Sequence, residues 1–470
     1  MKSISTLFLL VSLGCTLAAC SSVKKVADTK LGTGYSAHEL CSRLFVSGES
    51  QQSVIEQAVA PKVYPLQSFW HLDIDVPRKV VSVSAPFVKG MNQSTAVYRD
   101  GLGCTVAVNK SVEDIQGEPF IPLYVPPFEQ QDSSWQKHSL PQAEQQALQK
   151  VLNAMYVEHS DDVGSKRNTY ATLVAYQGQL VAEQYDDGHN ANMRMLSWSM
   201  AKTVTALLAG ILYDMGKLDP QELVPALAHQ RQPTNIQHLL HMSSGLEWQE
   251  TYMGASDVSN MLYLNGDTAA YVAQRQQVTA PGERFVYSTG DTQLLAQVVS
   301  DKLGGQLQSV YEFYQRQLFH KLGIYNAVVE HDESGQFIGG ARVFLTPRDW
   351  LKVGQLIAQK GRWQGQQIVS EQWIDYMLSP SDVADYYGAQ VWLGNMESEL
   401  EGIPEDAIYL RGHIGQFVAI VPSQQLVVAR LGAYGPDINP SEFAAGFMTD
   451  VKAIGQVMEG LRSEAVATDE

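Results

Sequence analysis

The sequence predicts an α+β domain: an antiparallel β-sheet flanked by helices, with an all-helical subdomain between its strands and an N-terminal accessory region before it. Three observations carry this. Residues 170–176 and 180–185 are β-rich runs separated by Gln177-Gly178-Gln179, a hairpin signal. Residues 417–422 and 426–430 form a second pair of apolar runs around Ser423-Gln424-Gln425. Between the pairs, from about 198 to 320, the pattern is mainly helical, as in Ile236-Gln237-His238-Leu239-Leu240 before Ser243-Ser244-Gly245. Strands at both ends and helices between them place a cleft where the two parts meet.

In chain order, Lys2 and the short apolar run 7–13 make a targeting segment, too short to span a bilayer. Leu17-Ala18-Ala19-Cys20 follows and resembles a bacterial lipobox. That resemblance implies a signal peptide over 1–19, lipid on Cys20, and a tether over 20–35 that holds the protein to the membrane. Ser21 after the cysteine implies the outer membrane, with the chain facing the periplasm; an ordinary signal peptide is the simpler alternative. Residues 36–140 form the accessory region, expected as mixed strand and loop from short runs at 80–84 and 105–108 and prolines between 119 and 127. No catalytic constellation is visible there. Of 4 cysteines, Cys15 leaves with the signal and Cys20 takes lipid. Cys41 and Cys104 remain, as a disulfide in an oxidising compartment or as two buried thiols.

The main domain is expected over 141–462. It begins with a helix carrying Ala147, Leu148, Val151, Leu152 and Met155 on one face, and ends with a helix over about 441–460. The polar tail 463–470 is expected to be disordered. The 470 residues are 45% hydrophobic and 18% charged, the composition of a globular protein. A net charge of −17 argues against nucleic acid, which binds basic surfaces. No Cys/His spacing suggests a metal site, and the chemistry below needs no cofactor.

Ser199-Met200-Ala201-Lys202 places a hydroxyl and an amine on one helix face. Free serine is a poor nucleophile, and a neighbouring base activates it. The same spacing at Ser21/Lys24, Ser22/Lys25 and Ser134/Lys137 lacks the apolar helix that follows Ser199. A second piece is Tyr287-Ser288-Thr289-Gly290-Asp291-Thr292, a turn-rich stretch before an apolar helix over 294–303. A phenol beside a lysine can shuttle protons if its pKa is lowered. The third is Arg411-Gly412-His413-Ile414-Gly415-Gln416, expected at the start of a strand. Its glycines, Gly415 among them, let a substrate approach the backbone, and the N–H of Gln416 can pair with that of Ser199 as an oxyanion hole.

Ser-x-x-Lys, then Tyr-Ser-x before a helix, then His-x-Gly, in this order, resembles the penicillin-recognising serine hydrolases. Class C β-lactamases, DD-peptidases and related esterases belong to that group. Roughly ninety residues separate the first two motifs and over a hundred the last two. The resemblance covers about 145–460 and is strengthened by Leu239–Gly245, Pro281–Phe285 and Leu345–Trp350. The 6-aminohexanoate-dimer-hydrolase-like proteins are the most similar subgroup, sharing the Tyr-Ser-Thr-Gly-Asp-Thr stretch and a Trp-x-Glu-x-Tyr loop at Trp248, Glu250 and Tyr252. The resemblance implies Ser199 as nucleophile, Lys202 and Tyr287 as its proton-transfer partners, and Tyr252 as a pocket wall. His413 then orients the leaving group or Tyr287. Thr289 stands where class C β-lactamases carry Asn, and His413 where they carry Lys. Those departures favour a small ester or linear amide over a β-lactam or peptide. The alternatives are a β-lactamase or DD-peptidase, and a non-catalytic envelope binding protein of the same fold.

Overall fold

The computed structural model describes residues 29–63, 70–85, 92–126, 138–252, 254–394 and 404–468. The signal segment and Cys20 lie outside the described residues. The N-terminal region opens with helix α1 (residues 29–42) and a helical arm, α2 (residues 51–63). Strands β1 (His71–Asp75), β2 (Val80–Ser84), β3 (Ser94–Arg99) and β4 (Gly103–Ala107) follow as an antiparallel meander in the order β1-β2-β3-β4. Leu40 and Cys41 of α1 bury against Val54 and Ala58 of α2 and Val81, Val83 and Ala96 of the sheet. A disulfide joins Cys41 of α1 to Cys104 of β4 with a Cα–Cα distance of 6.1 Å.

This region departs from the sequence expectation in two ways. It contains helices as well as strands, and it begins within the expected tether, since 29–35 is already part of α1. Gly32 and Gly34 hide that helix from propensity, because glycine disfavours helix interiors. Packing explains them: a Cβ at Gly34 would lie 3.0 Å from the backbone oxygen of Tyr263 in the main domain. Tertiary contact overrides the local preference.

Two buried carboxylates dock the region onto the main domain. Glu330, fully buried, accepts hydrogen bonds from Ser42 Oγ (2.6 Å) and the Cys104 N–H (2.9 Å), and lies 2.6 Å from His38 Nε2. Glu333 accepts from the N–H groups of Val108 (2.7 Å) and Asn109 (2.9 Å). Glu330→Ala takes the acceptor from the buried Cys104 N–H and a partner from both Ser42 and His38, and a buried donor left unpaired costs a desolvation penalty. We expect a loss of about 2–4 kcal/mol in denaturant unfolding. An unchanged midpoint would contradict the docking role of Glu330.

The main domain runs through helix α3 (Gln142–Met155), strands β5 (Thr169–Tyr176) and β6 (Gln179–Tyr185), helices α4 (Ala201–Asp214), α5 (Thr289–Lys302) and α6 (Pro347–Ala358), strands β7 (Trp392–Leu393), β8 (Ile408–Gly412), β9 (Gln416–Val421) and β10 (Leu426–Gly432), and helix α7 (Pro440–Thr468). The six strands form one antiparallel sheet in the order β7-β8-β9-β10-β5-β6. The first and last strands of the domain's sequence thus meet in its middle, where Val428 pairs with Val174. Gln177 and Gly178 turn β5 into β6 with φ of 49° and 77°, the conformation of a type I′ hairpin turn.

Side chains alternate across the sheet, as a period of two requires. Leu173, Ala175, Val427 and Ala429 face Trp350 and Leu351 of α6 in the larger core. Val174, Tyr176 and Val428 face Leu148 and Leu152 of α3 and Phe447, Val451 and Ile454 of α7. Helix α7 runs eight residues past its expected end and through much of the tail expected as disordered. The segment Ser463-Glu464-Ala465-Val466-Ala467 contains strong helix formers and no Gly or Pro, so nothing in it stops a helix already begun. Helix α4 is buried on every face from Ala201 to Leu212, because it threads between the sheet domain and the helical insert that carries Ile236–Leu240, Asp257–Leu264 and Thr268–Ala273.

Candidate active site

Ser199 and Lys202 stand where the helical insert meets the sheet domain. Ser199 lies in the tight turn Trp198–Met200 that feeds into α4, not in the α-helix itself. Trp198 has a φ of 48°, a left-handed conformation rare for a bulky residue, immediately before the serine. The turn packs closely on the end of β8: a Cβ at Gly412 would fall 2.2 Å from the Ser197 carbonyl oxygen. Only glycine allows the strand this near.

Lys202 is almost wholly buried and donates three hydrogen bonds: to Ser199 Oγ (3.1 Å), Thr289 Oγ1 (2.8 Å) and the Gly340 carbonyl (2.9 Å). Two of these acceptors have no choice. A carbonyl only accepts, and the Thr289 hydroxyl spends its own proton on Glu250. They pin two N–H bonds of the amine and aim its third position at the serine. Burial pulls the Lys202 pKa down to about 8, partly opposed by the negative charge of Glu250.

Tyr287 completes the group. Its phenol is near enough to Ser199 for that side chain to act on its pKa, and its ring stacks on Trp392 at 5.0 Å. The Lys202 amine lies 5.1 Å from the ring centroid. Burial and then Glu250 raise the phenol's pKa, whereas a shuttling phenolate needs a lowered one. Tyr287 is therefore held protonated, a donor rather than a base.

The third motif runs from the end of β8 through the tight turn 413–415 to the start of β9 at Gln416. Residues 413–415 form a three-residue loop closed by the pairing of Gly412 with Gln416. The Gln416 side chain is turned back onto Gly432, donating to its carbonyl and accepting from its N–H at 3.3 Å. Gly415 has a φ of 92°, and a Cβ there would meet Arg430 Nη1 at 2.5 Å and the Tyr434 ring at 2.9 Å, so conformation and packing account for this glycine. The buried guanidinium of Arg430 donates to the Gly415 carbonyl and fixes the turn from below.

His413 and Tyr252 come together, stacked at 4.4 Å, and both meet Trp198 edge-on at 5.2 and 5.3 Å. The His413 ring contacts Tyr252, Trp198 and Lys62 rather than Tyr287 among the described residues. Burial, then the Lys62 charge, push its pKa well below the ordinary histidine value, so the ring is neutral.

Sequence reasoning missed the buried network behind Lys202. Glu250 accepts from the Trp248 indole (2.6 Å), the Thr289 N–H (2.9 Å) and Tyr252 OH (3.3 Å), besides the Thr289 hydroxyl. The Trp-x-Glu-x-Tyr pattern was the available signal for it. Asp291 ties the Tyr287 turn to the Ser243-Ser244-Gly245 loop, accepting from Ser244 Oγ at 2.7 Å. Burial pushes the Asp291 carboxyl up to about 7, against the Ser244 hydrogen bonds. Gly340 supplies only a backbone carbonyl, which no sequence pattern marks.

A buried Ser-x-x-Lys pair at the junction of an antiparallel α+β domain and a helical insert defines a class of proteins. The beta-lactamase family matches residues 152–447, and the chain belongs to that family. It is similar to the 6-aminohexanoate-dimer hydrolase of Paenarthrobacter ureafaciens, 27% identical over 228 residues, 45% of this chain and 57% of that protein. The chain thus spans little more than half the length of that curated relative. Among solved structures it resembles a putative 6-aminohexanoate-dimer hydrolase from Bacillus anthracis, with TM-score 0.56 and 18% identity over 70% of this chain and 89% of that one. A family VIII carboxylesterase aligns with TM-score 0.53 and 17% identity over 68% of this chain and 99% of the other. These two likenesses are of fold.

Proposed function

We propose that this chain is a serine hydrolase that cleaves a small ester or linear amide through an acyl-enzyme on Ser199. The observation that carries the reading is the pinning of Lys202, whose two obligate acceptors leave its lone pair, once the amine is neutral, directed at the Ser199 hydroxyl. Ser199 Oγ bonds to the substrate carbonyl carbon and its proton passes to Lys202. The N–H groups of Ser199 and Gln416 hold the oxyanion. As the tetrahedral intermediate collapses, the leaving oxygen or nitrogen takes a proton delivered through Tyr287. Water gives a proton to Lys202 and attacks the acyl carbon; the C–Oγ bond breaks, Ser199 Oγ takes the proton back, and the acid leaves. The family, the carboxylesterase-like fold and the curated relative support hydrolysis of esters or amides. Thr289, committed to Lys202 and Glu250, and a neutral His413 weigh against the alternative of a β-lactamase or DD-peptidase.

The test uses the chain lacking residues 1–20, as wild type and as Ser199→Ala, on 4-nitrophenyl butyrate. Turnover by wild type alone supports the proposal; equal rates in both leave the binding-protein reading. The pH dependence is a second expectation. With Lys202 near 8, protonation removes the base as pH falls, so kcat/KM should drop about tenfold per unit below that value and level off above it. A flat profile between about pH 6 and 9 would remove Lys202 as the titrating base.

We further propose that the chain is lipid-anchored through Cys20 in the bacterial envelope, at the outer membrane and facing the periplasm. The lipobox-like Leu17-Ala18-Ala19-Cys20 and the Cys41–Cys104 disulfide support this reading. Labelling of the expressed full chain with a radioactive fatty acid, lost in Cys20→Ala, tests it.

A further inference from the structure

The accessory region does more than cover the main domain. A cavity of about 240 Å³, lined by Trp198, the residue before Ser199, has walls from both parts of the chain. Leu31, Tyr35 and Trp70 of the N-terminal region face Trp198, Tyr252 and Tyr263 of the main domain. These walls are apolar or aromatic, and Trp198 and Tyr252 connect them to the catalytic group, the first through the adjacent Ser199 and the second through Glu250. One cation enters the cavity: Lys62, at the end of α2, whose amine lies 3.0 Å from His413 Nε2.

Lys62 has no carboxylate within ion-pair distance among the described residues; Glu39 acts on it from farther away. The lysine is largely desolvated, and an amine so placed is costly unless something negative joins it. Its contact, a neutral His413, accepts a hydrogen bond but brings no charge, which fixes the proton of that ring on Nδ1. Burial lowers the Lys62 pKa to about 8, Glu39 opposing, so the amine is still mainly protonated at neutral pH. The site therefore offers a mainly apolar cavity with one cation that no carboxylate pairs, in a chain of net charge −17.

We propose that the N-terminal region is a specificity element of the active site, and that Lys62, supported by His413, holds a carboxylate carried on an apolar arm of the substrate. The inference rests on the hydrolase reading and names the class of ester or amide that this site takes. An apolar arm fits the aromatic walls, and its carboxylate replaces the missing counter-charge of Lys62. The cavity is below the roughly 300–1,000 Å³ usual for drug-sized ligands, which suits a short chain rather than a large ring system.

The experiment compares two matched pairs of esters, each differing only in charge. The first is 4-nitrophenyl hydrogen adipate against its methyl ester, with the carboxylate on the acyl side. The second is 4-(carboxymethyl)phenyl butyrate against its methyl ester, with the carboxylate on the leaving group. Wild type is expected to favour the acid by tenfold or more in kcat/KM in one of the pairs. Lys62→Met should bring that ratio close to one, Lys62→Arg should keep most of it, and added salt should weaken it in wild type. Because each variant is read as a ratio of two substrates, a partial loss of folded protein cancels. Turnover of both methyl esters with no preference for either acid, or a preference that survives Lys62→Met, overturns the inference and leaves the hydrolase reading intact. No turnover of any of the four esters, nor of 4-nitrophenyl butyrate, counts against the hydrolase reading itself.

Discussion

Replacing Ser199 or Lys202 is expected to abolish turnover, each alone lowering kcat by about 10⁴-fold or more, and the double variant little further. Groups that act as one catalytic unit are strongly non-additive, because losing either member ends the step that both perform. The geometry makes them such a unit. Lys202 contacts Ser199 Oγ at 3.1 Å and its other two hydrogen bonds go to fixed acceptors, so no second base is aligned on the hydroxyl by its side. Lys202→Met should remain folded, since it removes a desolvated amine from a buried position. The check is steady-state turnover of 4-nitrophenyl butyrate with the unfolding midpoint measured beside it. If the double variant were far slower than either single one, the two residues would be acting in separate steps.

Tyr287→Phe should also be severe, and its severity should depend on the leaving group. The phenol is close to Ser199, and burial with Glu250 keeps it protonated. Its task is then to deliver a proton to the departing atom. Nitrophenolate departs without one, whereas an alkoxide or amine anion does not. The variant should lose on the order of 10²–10⁴-fold on an alkyl ester or anilide, and clearly less on the nitrophenyl ester. Phenylalanine keeps the stack on Trp392, so the difference reads the hydroxyl alone. An equal loss on all leaving groups would make Tyr287 a positioning residue for Ser199 instead.

Much of this was legible in the sequence where the signal is local. The β5–β6 hairpin shows as two apolar runs around Gln177-Gly178, and the β9–β10 pair as runs around a polar triplet. Ser199, Lys202 and Tyr287 stand out through spacing and context, and the structure brings all three together. What stayed hidden is what depends on distant contacts. Helix α1 carries two glycines that only its packing explains. The direction of the Tyr287 shift depends on burial and on Glu250, which is brought in from a loop 37 residues earlier in the chain. Lys62 lies in an ordinary Ala-Pro-Lys-Val stretch, 351 residues from His413, and nothing in its neighbourhood marks it. A pattern read along the chain finds the nucleophile and base because one helical turn joins them. It misses a pocket wall supplied from another region.

The central claim is that an acyl group is carried on Ser199. Wild type mixed with a slowly hydrolysed nitrophenyl ester, quenched in acid and digested, should yield one peptide heavier by the acyl mass, with the adduct on Ser199 and absent from Ser199→Ala. An acyl group on any other residue, or the same adduct in Ser199→Ala, would contradict the account.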